Sequence, residues 1–341
     1  MENRKIICAI SGGVDSAVSA ALLKEAGFNV AGVFMKLVDS ASFADSEKSA
    51  KKVAAKLGIP LRILDLRKEF KKKIIEPFLK HYLSGNTPNP CINCNQQIKF
   101  NLILDRISSD KDFLATGHYA RIEKKGGDYM LLKGKDKNKD QSYFLWKLSQ
   151  RELKRTIFPL AYFTKKETKR LAESFNLPVS GRKESQEICF VPGDIKNFLK
   201  RHLKLKEGRV INTEGKVLSR HQGLQLFTIG QRRGINLPGG PYYVLNKNIK
   251  DNILVVTKNE KDLYTKSFCV KEVNWISGKK QKSLKNVVIK IRYRDKGSPA
   301  DVFLSGSRGR IIFKKPQRAI TPGQSAVAYR GERLLMGGII C

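Results

Sequence analysis

Residues Ser11 to Ser16, reading SGGVDS, are of the types a phosphate site requires. An apolar run, Ile6 to Ile10, precedes them and an amphipathic run, Ala17 to Ala26, follows, so a buried strand enters a glycine-rich turn and a helix leaves it. Such a turn aims unpaired backbone N–H groups and the positive end of a helix macrodipole at one point. Gly12 and Gly13 permit positive φ or close approach of a ligand, and Ser11 and Ser16 add hydroxyls. A carboxylate beside a phosphate repels it unless a divalent cation lies between them, so Asp15 points to a Mg²⁺-nucleotide. The Lys-Ser/Thr ending of a Walker loop and the glycine spacing of a dinucleotide fingerprint are both missing. A serine-capped strand-to-helix connection is the bland alternative.

Thiols supply the second chemistry. In Thr87 to Asn95, TPNPCINCN, two prolines force an extended, turn-like backbone, and Cys91 and Cys94 flank Ile92-Asn93 just before a helical pattern, Gln96 to Ile107. Cys94 is therefore expected near a helix start, where the dipole lowers a thiol pKa. A nucleophile, a metal-binding pair and inert buried thiols all remain open, although zinc would want four ligands and no second CxxC or close His pair exists. Cys189, in Ser185-Gln186-Glu187-Ile188-Cys189-Phe190, is flanked by apolar residues, and nothing local says that it meets Cys94.

The elements that must position these groups alternate. Asn29 to Met35 reads as a second strand after a C-cap at Gly27, Lys51 to Leu57 as helix, Leu61 to Leu64 and Phe113 to Thr116 as short strands, and Lys165 to Phe175 as helix. This predicts an α/β fold with a doubly wound parallel sheet and a ligand at the carboxyl ends of its strands, beside Met35 and Gly117-His118. A basic loop, Lys133 to Lys139, runs into Asp140-Gln141-Ser142-Tyr143-Phe144-Leu145-Trp146, a combination suited to phosphates and unstacked bases. From about Gly208 the texture becomes short strands separated by Gly, Asn and Pro, which reads as a small β-barrel or sandwich.

Among 341 residues, 66 Lys+Arg against 31 Asp+Glu give a formal net charge of +35, which favours nucleic acid as partner. No apolar run reaches spanning length and no basic amphipathic helix carries Trp or Phe opposite its lysines, so no membrane is expected. The N-terminal run MENRKIICAISGG reads as no targeting segment, and six scattered cysteines fit reduced thiols in a cytoplasm.

SGGVDS resembles the pyrophosphate loop of the ATP pyrophosphatases, which split ATP between its α and β phosphates and adenylate a carbonyl. With TPNPCINCN and IKF, ATGHYARI at Ala115, KDQSYFLW at Lys139, ICF at Ile188, HQGLQLFTIGQRRGI at His221 and TPGQSAV at Thr321, nearly the whole chain resembles the tRNA 2-thiouridylases. The resemblance implies thiolation of the wobble uridine of tRNA and three domains: a nucleotide-binding catalytic one over 1–205, a small central one over 206–265 and a C-terminal β-barrel over 266–341. It implies that Ala9, Ile10, Ser11, Gly12, Gly13, Val14, Asp15, Ser16 and Met35 hold ATP with Mg²⁺, and that Gly117 is also at the nucleotide. Cys94 would be the nucleophile and Cys189 the persulfide carrier. Asn89, Pro90 and Cys91 would lie against the target base, and Lys139, Asp140, Gln141, Arg292 and Tyr293 against tRNA, with His118 and Gln324 supporting that contact. Implied partners are the tRNAs for Lys, Glu and Gln and a sulfur donor protein, a cysteine desulfurase or sulfur-relay carrier.

The family often has Asp where this chain has Cys91. That departure leaves open an alternative in which Cys91, Cys94 and Cys189 hold a [4Fe–4S] cluster. A small-molecule amidating or ligating enzyme would leave the charge and the cysteines unexplained, and an RNA-binding protein with a CxxC metal knob would leave SGGVDS unexplained.

Overall fold

Near-continuous apolar strands bury both faces when helices cover them, and here they build one parallel sheet. The computed structural model describes residues 5–106, 112–179 and 188–341; the N-terminal four residues, Ile107 at the end of the expected helix, and Ser185, Gln186 and Glu187 of the SQEICF string lie outside the described residues. In chain order the first strands are β1 (Lys5–Ala9), β2 (Asn29–Lys36), β3 (Leu61–Asp65), β4 (Phe113–Ala115), β5 (Ala120–Lys125), β6 (Asp128–Lys133) and β7 (Thr156–Ile157). Five of these form the sheet β3-β2-β1-β4-β7, every neighbouring pair parallel. Ile6, Cys8 and Ile10 face a core that includes Ala17, Ala20 and Ala21 of the first helix, while Ala9 and Val33 face the opposite one.

The first helix spans Val14–Glu25, so Asp15 and Ser16 lie in its first turn, ahead of the start at Ala17 read from the sequence. Gly13 occupies the N-cap without a side-chain bond; instead the Ser16 hydroxyl donates to the Gly13 carbonyl at 3.0 Å and accepts from the Ser11 N–H at 3.1 Å. The serine therefore stiffens the turn and leaves the helix N–H groups open. After Cys94 the chain winds as a π-helix, Asn95–Leu102, where the sequence pattern predicts ordinary helix.

The central sheet has β8 (Gly208–Ile211), β9 (Val217–His221), β10 (Tyr243–Asn248) and β11 (Ile253–Thr257) in the order β10-β11-β8-β9. The remaining strands, β12 (Tyr264–Trp275), β13 (Ser283–Lys290), β14 (Ser298–Ser305), β15 (Arg308–Arg318), β16 (Ser325–Arg330) and β17 (Arg333–Ile340), run β12-β15-β14-β13-β16-β17, and β17 pairs back with β12. A closed barrel results, which removes exposed sheet edges. The hairpin β5–β6 joins it from outside through Leu131↔Leu334 and Leu132↔Arg333.

Segment Ser142–Trp146 locks the two main units together. The Trp146 indole N–H donates to the Ser325 hydroxyl at 3.0 Å, the Tyr143 hydroxyl to the Ser325 carbonyl at 3.0 Å, and the Ser142 and Tyr329 hydroxyls meet at 3.1 Å. Tyr143 and Trp146 are fully buried, so they are structural joints and not the base-stacking platform their place after a basic loop suggests. Trp146→Ala should lower unfolding stability by about 3–5 kcal/mol, the usual cost of emptying a buried aromatic site. Denaturant titration checks this, and an unchanged midpoint would show that the joint carries no load.

Candidate active site

In an open parallel sheet the ligand site lies where strand order reverses, because loops from neighbouring strand ends diverge there. Here that point falls between β1, followed by β2 on one side, and β4 on the other. The turn after β1 is Ser11 to Gly13 and the turn after β4 begins Thr116-Gly117. The two press together: a Cβ on Gly117 would lie 2.9 Å from the Asp15 carbonyl carbon and from the Ser16 nitrogen. Glycine at 117 is thus a condition for the loop's position. Gly12, at φ +76°, is the loop residue that needs the left-handed region.

A cleft of about 1610 Å³ opens over this point, walled by the parallel-sheet unit on one side and the barrel on the other. Ser11, Gly13, Val14, Asp15, Ser16 and Met35 line it, as do Pro90, Cys91, Cys94 and Cys189, then Lys139, Asp140, Gln141 and Tyr293. Ala9, Ile10, Gly12 and Gly117 lie behind that lining and shape the loop.

Four residues expected at the substrate lie outside the cleft lining and have partners within the protein. His118 is buried among Phe100 and Phe158, with Nδ1 2.7 Å from the Thr116 hydroxyl, and burial holds its pKa well below the usual range, so it is a neutral core residue. The Gln324 amide donates to the Thr87 carbonyl at 2.6 Å, tying the TPNPC loop to the barrel. Asn89 is the N-cap of helix Pro90–Cys94, accepting from the Cys91 N–H at 3.1 Å. Arg292 donates to the Arg318 carbonyl at 2.8 Å, outside the cleft lining.

Asp15 accepts from the Lys165 ammonium at 2.6 Å and from the Tyr119 hydroxyl at 2.8 Å, which also meets Thr168 at 3.0 Å. A divalent cation would therefore share this carboxylate with a buried lysine. Lys165 and Tyr119 both line the cleft, although neither is expected there from the sequence. The signal available for Lys165 was its position at the start of a capped helix, Lys165–Ser174.

Cys94 is the last residue of helix Pro90–Cys94, a full turn from its start, and so lies away from the end where a helix dipole would lower its pKa. Burial pushes the Cys94 thiol up to about 12, against the opposing charge of Lys99 and with the help of Cys189 and Cys91. The Cys189 thiol is pushed up to about 11 by burial and then by Cys91, with Lys99 and its own backbone N–H opposing. Cys91 is raised by burial, again opposed by Lys99. Cys91 and Cys189 each present an exposed edge to the cleft although protein crowds their other sides; the open edge gives access and the crowding raises the pKa. All six cysteines are free thiols. Among the described residues no three His, Cys, Asp or Glu side chains are grouped to hold a metal ion.

Residues 4–193 match the family model of the tRNA methyl transferase HUP domain, 196–258 that of the tRNA methyl transferase PRC-barrel domain and 265–340 that of the aminomethyltransferase beta-barrel domain. Fold and site together define a tRNA-modifying enzyme class with a PP-loop nucleotide-binding domain. The tRNA-specific 2-thiouridylase MnmA of Carboxydothermus hydrogenoformans is 41% identical over 356 residues, covering 99% of this chain and 97% of that relative. That of Clostridioides difficile is 41% identical, covering 99% and 98%. The chain belongs to the tRNA-specific 2-thiouridylase family. A solved structure, the U34-tRNA thiolase NcsA from Methanococcus maripaludis with its [4Fe-4S] cluster, is 20% identical over 59% of this chain and 66% of that one, with a TM-score of 0.36.

Gly117→Ala should push the loop aside and weaken ATP binding about tenfold or more, equal to roughly 1.4 kcal/mol or above; calorimetric titration with ATP measures it. For the thiols the sign is simple: a raised pKa leaves the neutral form dominant until higher pH. Alkylation of Cys94 by iodoacetamide at neutral pH should therefore be more than about a hundredfold slower than that of a free cysteine and should rise with pH. Peptide mass spectrometry resolves the site.

Proposed function

We propose that this enzyme adenylates the C2 oxygen of the wobble uridine of tRNA with ATP and replaces it with sulfur, giving 2-thiouridine, AMP and pyrophosphate. One observation carries the reading: the glycine-rich loop, Cys94 and Cys189 all face a single cleft, although 95 residues separate the two thiols in the chain.

The C2 oxygen of uracil leaves poorly, and adenylation converts it into the oxygen of departing AMP. Ser11, Gly13 and Ser16 offer donors for the phosphates, Lys165 supplies positive charge beside them, and Met35 packs at the base side of the cleft. Asp15 is the residue that would hold Mg²⁺, which neutralises phosphate charge when bound. Sulfur arrives as a persulfide on Cys189, the more open thiol, and Cys94 is the nucleophile that resolves it. Cys91, exposed at the helix start, and Pro90 lie against the target base. Tyr293 and Phe144, with ring centroids 4.4 Å apart, offer an aromatic ledge at the cleft for an extruded base. Lys133, Lys139, Lys290, Arg294 and Lys296 rim the same opening and suit the phosphates of an anticodon arm.

The names of the matched models speak of methyl transfer and those of the relatives of thiolation. Two thiols beside a phosphate loop favour sulfur, because methyl transfer needs neither. The domains divide at 1–205, 206–265 and 266–341 in this reading. Its tRNAs are those for Lys, Glu and Gln, its sulfur comes from a cysteine desulfurase or relay carrier, and its compartment is the cytoplasm. Among the described residues no helix is long and apolar enough to cross a membrane.

The test is tRNA-dependent formation of AMP and 2-thiouridine by the purified chain with a sulfide or persulfide donor. Cys94→Ser and Cys189→Ser should each abolish 2-thiouridine while leaving tRNA binding within a few-fold, since a hydroxyl barely changes charge or volume. AMP formation indifferent to tRNA, or thiolation surviving either substitution, would contradict the assignment.

A further inference from the structure

Burial raises the pKa of all three cleft thiols, Cys91 adds to the rise at Cys94 and Cys189, and sulfur transfer requires anionic sulfur among them. Some fixed positive charge has to face them. Of the cations lining the cleft among the described residues, Lys99 is the one whose charge acts on Cys91, Cys94 and Cys189 together. The neighbouring Lys147 is engaged elsewhere, donating to Asn93 at 3.0 Å and to Glu272 at 3.0 Å.

Backbone winding explains how Lys99 comes to face them. In an α-helix residues four apart share a face, and the fifth turns away. The run Asn95–Leu102 is π-helical, with bonds closing five residues apart, so a residue at i+5 comes round under residue i. Lys99 stands five residues after Cys94. Its neighbours Ile98 and Phe100 are fully buried, which fixes the backbone and leaves the lysine as the member of that turn turned to the cleft. Such π-turns are rare and concentrate at functional sites. His118, held neutral by burial and then by the charge of Lys99, does not compete for the sulfur anions.

We propose that Lys99 is the positioning residue of the sulfur half-reaction, its ammonium holding the anionic sulfur species of Cys94 and Cys189 and the hydrosulfide released between them. This rests on the thiolation reading. In that step the Cys94 thiolate attacks the inner sulfur of the Cys189 persulfide, and the S–S bond breaks with its electron pair leaving on hydrosulfide. A Cys94–Cys189 disulfide forms, hydrosulfide adds at C2 of the adenylated uridine, and AMP departs. An external dithiol reduces the disulfide and restores both thiols. Negative charge passes from sulfur to sulfur throughout, within reach of one lysine.

The experiment compares full-length wild type with Lys99→Gln and Lys99→Arg. Iodoacetamide alkylation at Cys94 and Cys189, followed by peptide mass spectrometry between about pH 7 and 10, should be slower by about tenfold or more at every pH in Lys99→Gln and near wild type in Lys99→Arg, as loss of an adjacent opposite charge dictates. The yield of 2-thiouridine per AMP formed should fall by a similar factor in Lys99→Gln, recover as pH is raised, and persist in Lys99→Arg. Equal alkylation profiles for wild type and Lys99→Gln overturn the proposal. If Lys99→Gln does not fold, loss of thiolation in folded Lys99→Arg overturns it as well. Wild type that makes no tRNA-dependent AMP refutes the thiolation reading instead, while the alkylation profiles still decide whether Lys99 governs the thiols.

Discussion

A buried joint between segment Ser142–Trp146 and strand β16 makes one cleft out of the parallel-sheet unit and the barrel. The loop and the thiols sit on the parallel-sheet side, whereas Lys290, Tyr293 and Lys296 come from the barrel. Both sides must be held in register for a base to meet phosphates and sulfur at once. Hydrogen bonds from Tyr143 and Trp146 to Ser325 are made in a fully buried setting, where leaving either partner unpaired is costly. Gln324, bonded to Thr87, adds a second tie, and it runs straight to the loop that carries Cys91 and Cys94. Residues that look like substrate contacts in the sequence therefore serve to fix the geometry on which contact depends.

Electrostatics divides the cleft into two regions. Around the glycine-rich turn, positive backbone ends, Lys165 and Asp15 form a site suited to a nucleotide and its metal. Around Cys91, Cys94 and Cys189 the wall is apolar, with Phe70, Ile74 and Phe190 in the lining, and burial keeps the thiols protonated at rest. Protonated thiols are poorly nucleophilic and resist adventitious oxidation. The overall charge of +35 acts at longer range, drawing a polyanion to the opening without selecting the base.

Much of this was legible in the sequence. Alternating strand and helix patterns give the parallel sheet, and the turn chemistry of SGGVDS gives the ligand end, because both depend on local periodicity and backbone freedom. Short, turn-separated strands give the barrel, though not its closure, which is a long-range pairing of β12 with β17. The thiols were legible as candidates, but their convergence was not, since Cys94 and Cys189 come to one cleft only through tertiary packing. The internal partners of His118 and Gln324 were not legible, because neither the burial of the one nor the Thr87 carbonyl met by the other shows in the chain order. The π-winding after Cys94 leaves no mark in an apolar pattern, so the lysine it turns toward the thiols could not be singled out.

The hairpin β5–β6 bears on how the protein is made. Leu131 pairs with Leu334, about two hundred positions later, so a chain emerging from the ribosome completes its phosphate-binding portion long before the strand that covers this hairpin exists. Until then β6 presents an unpaired edge with Leu131 and Leu132 in it, and closing that edge carries the loop entropy of a very distant contact. Closing this flank therefore waits for β17, and a product truncated before that strand would keep the apolar edge open.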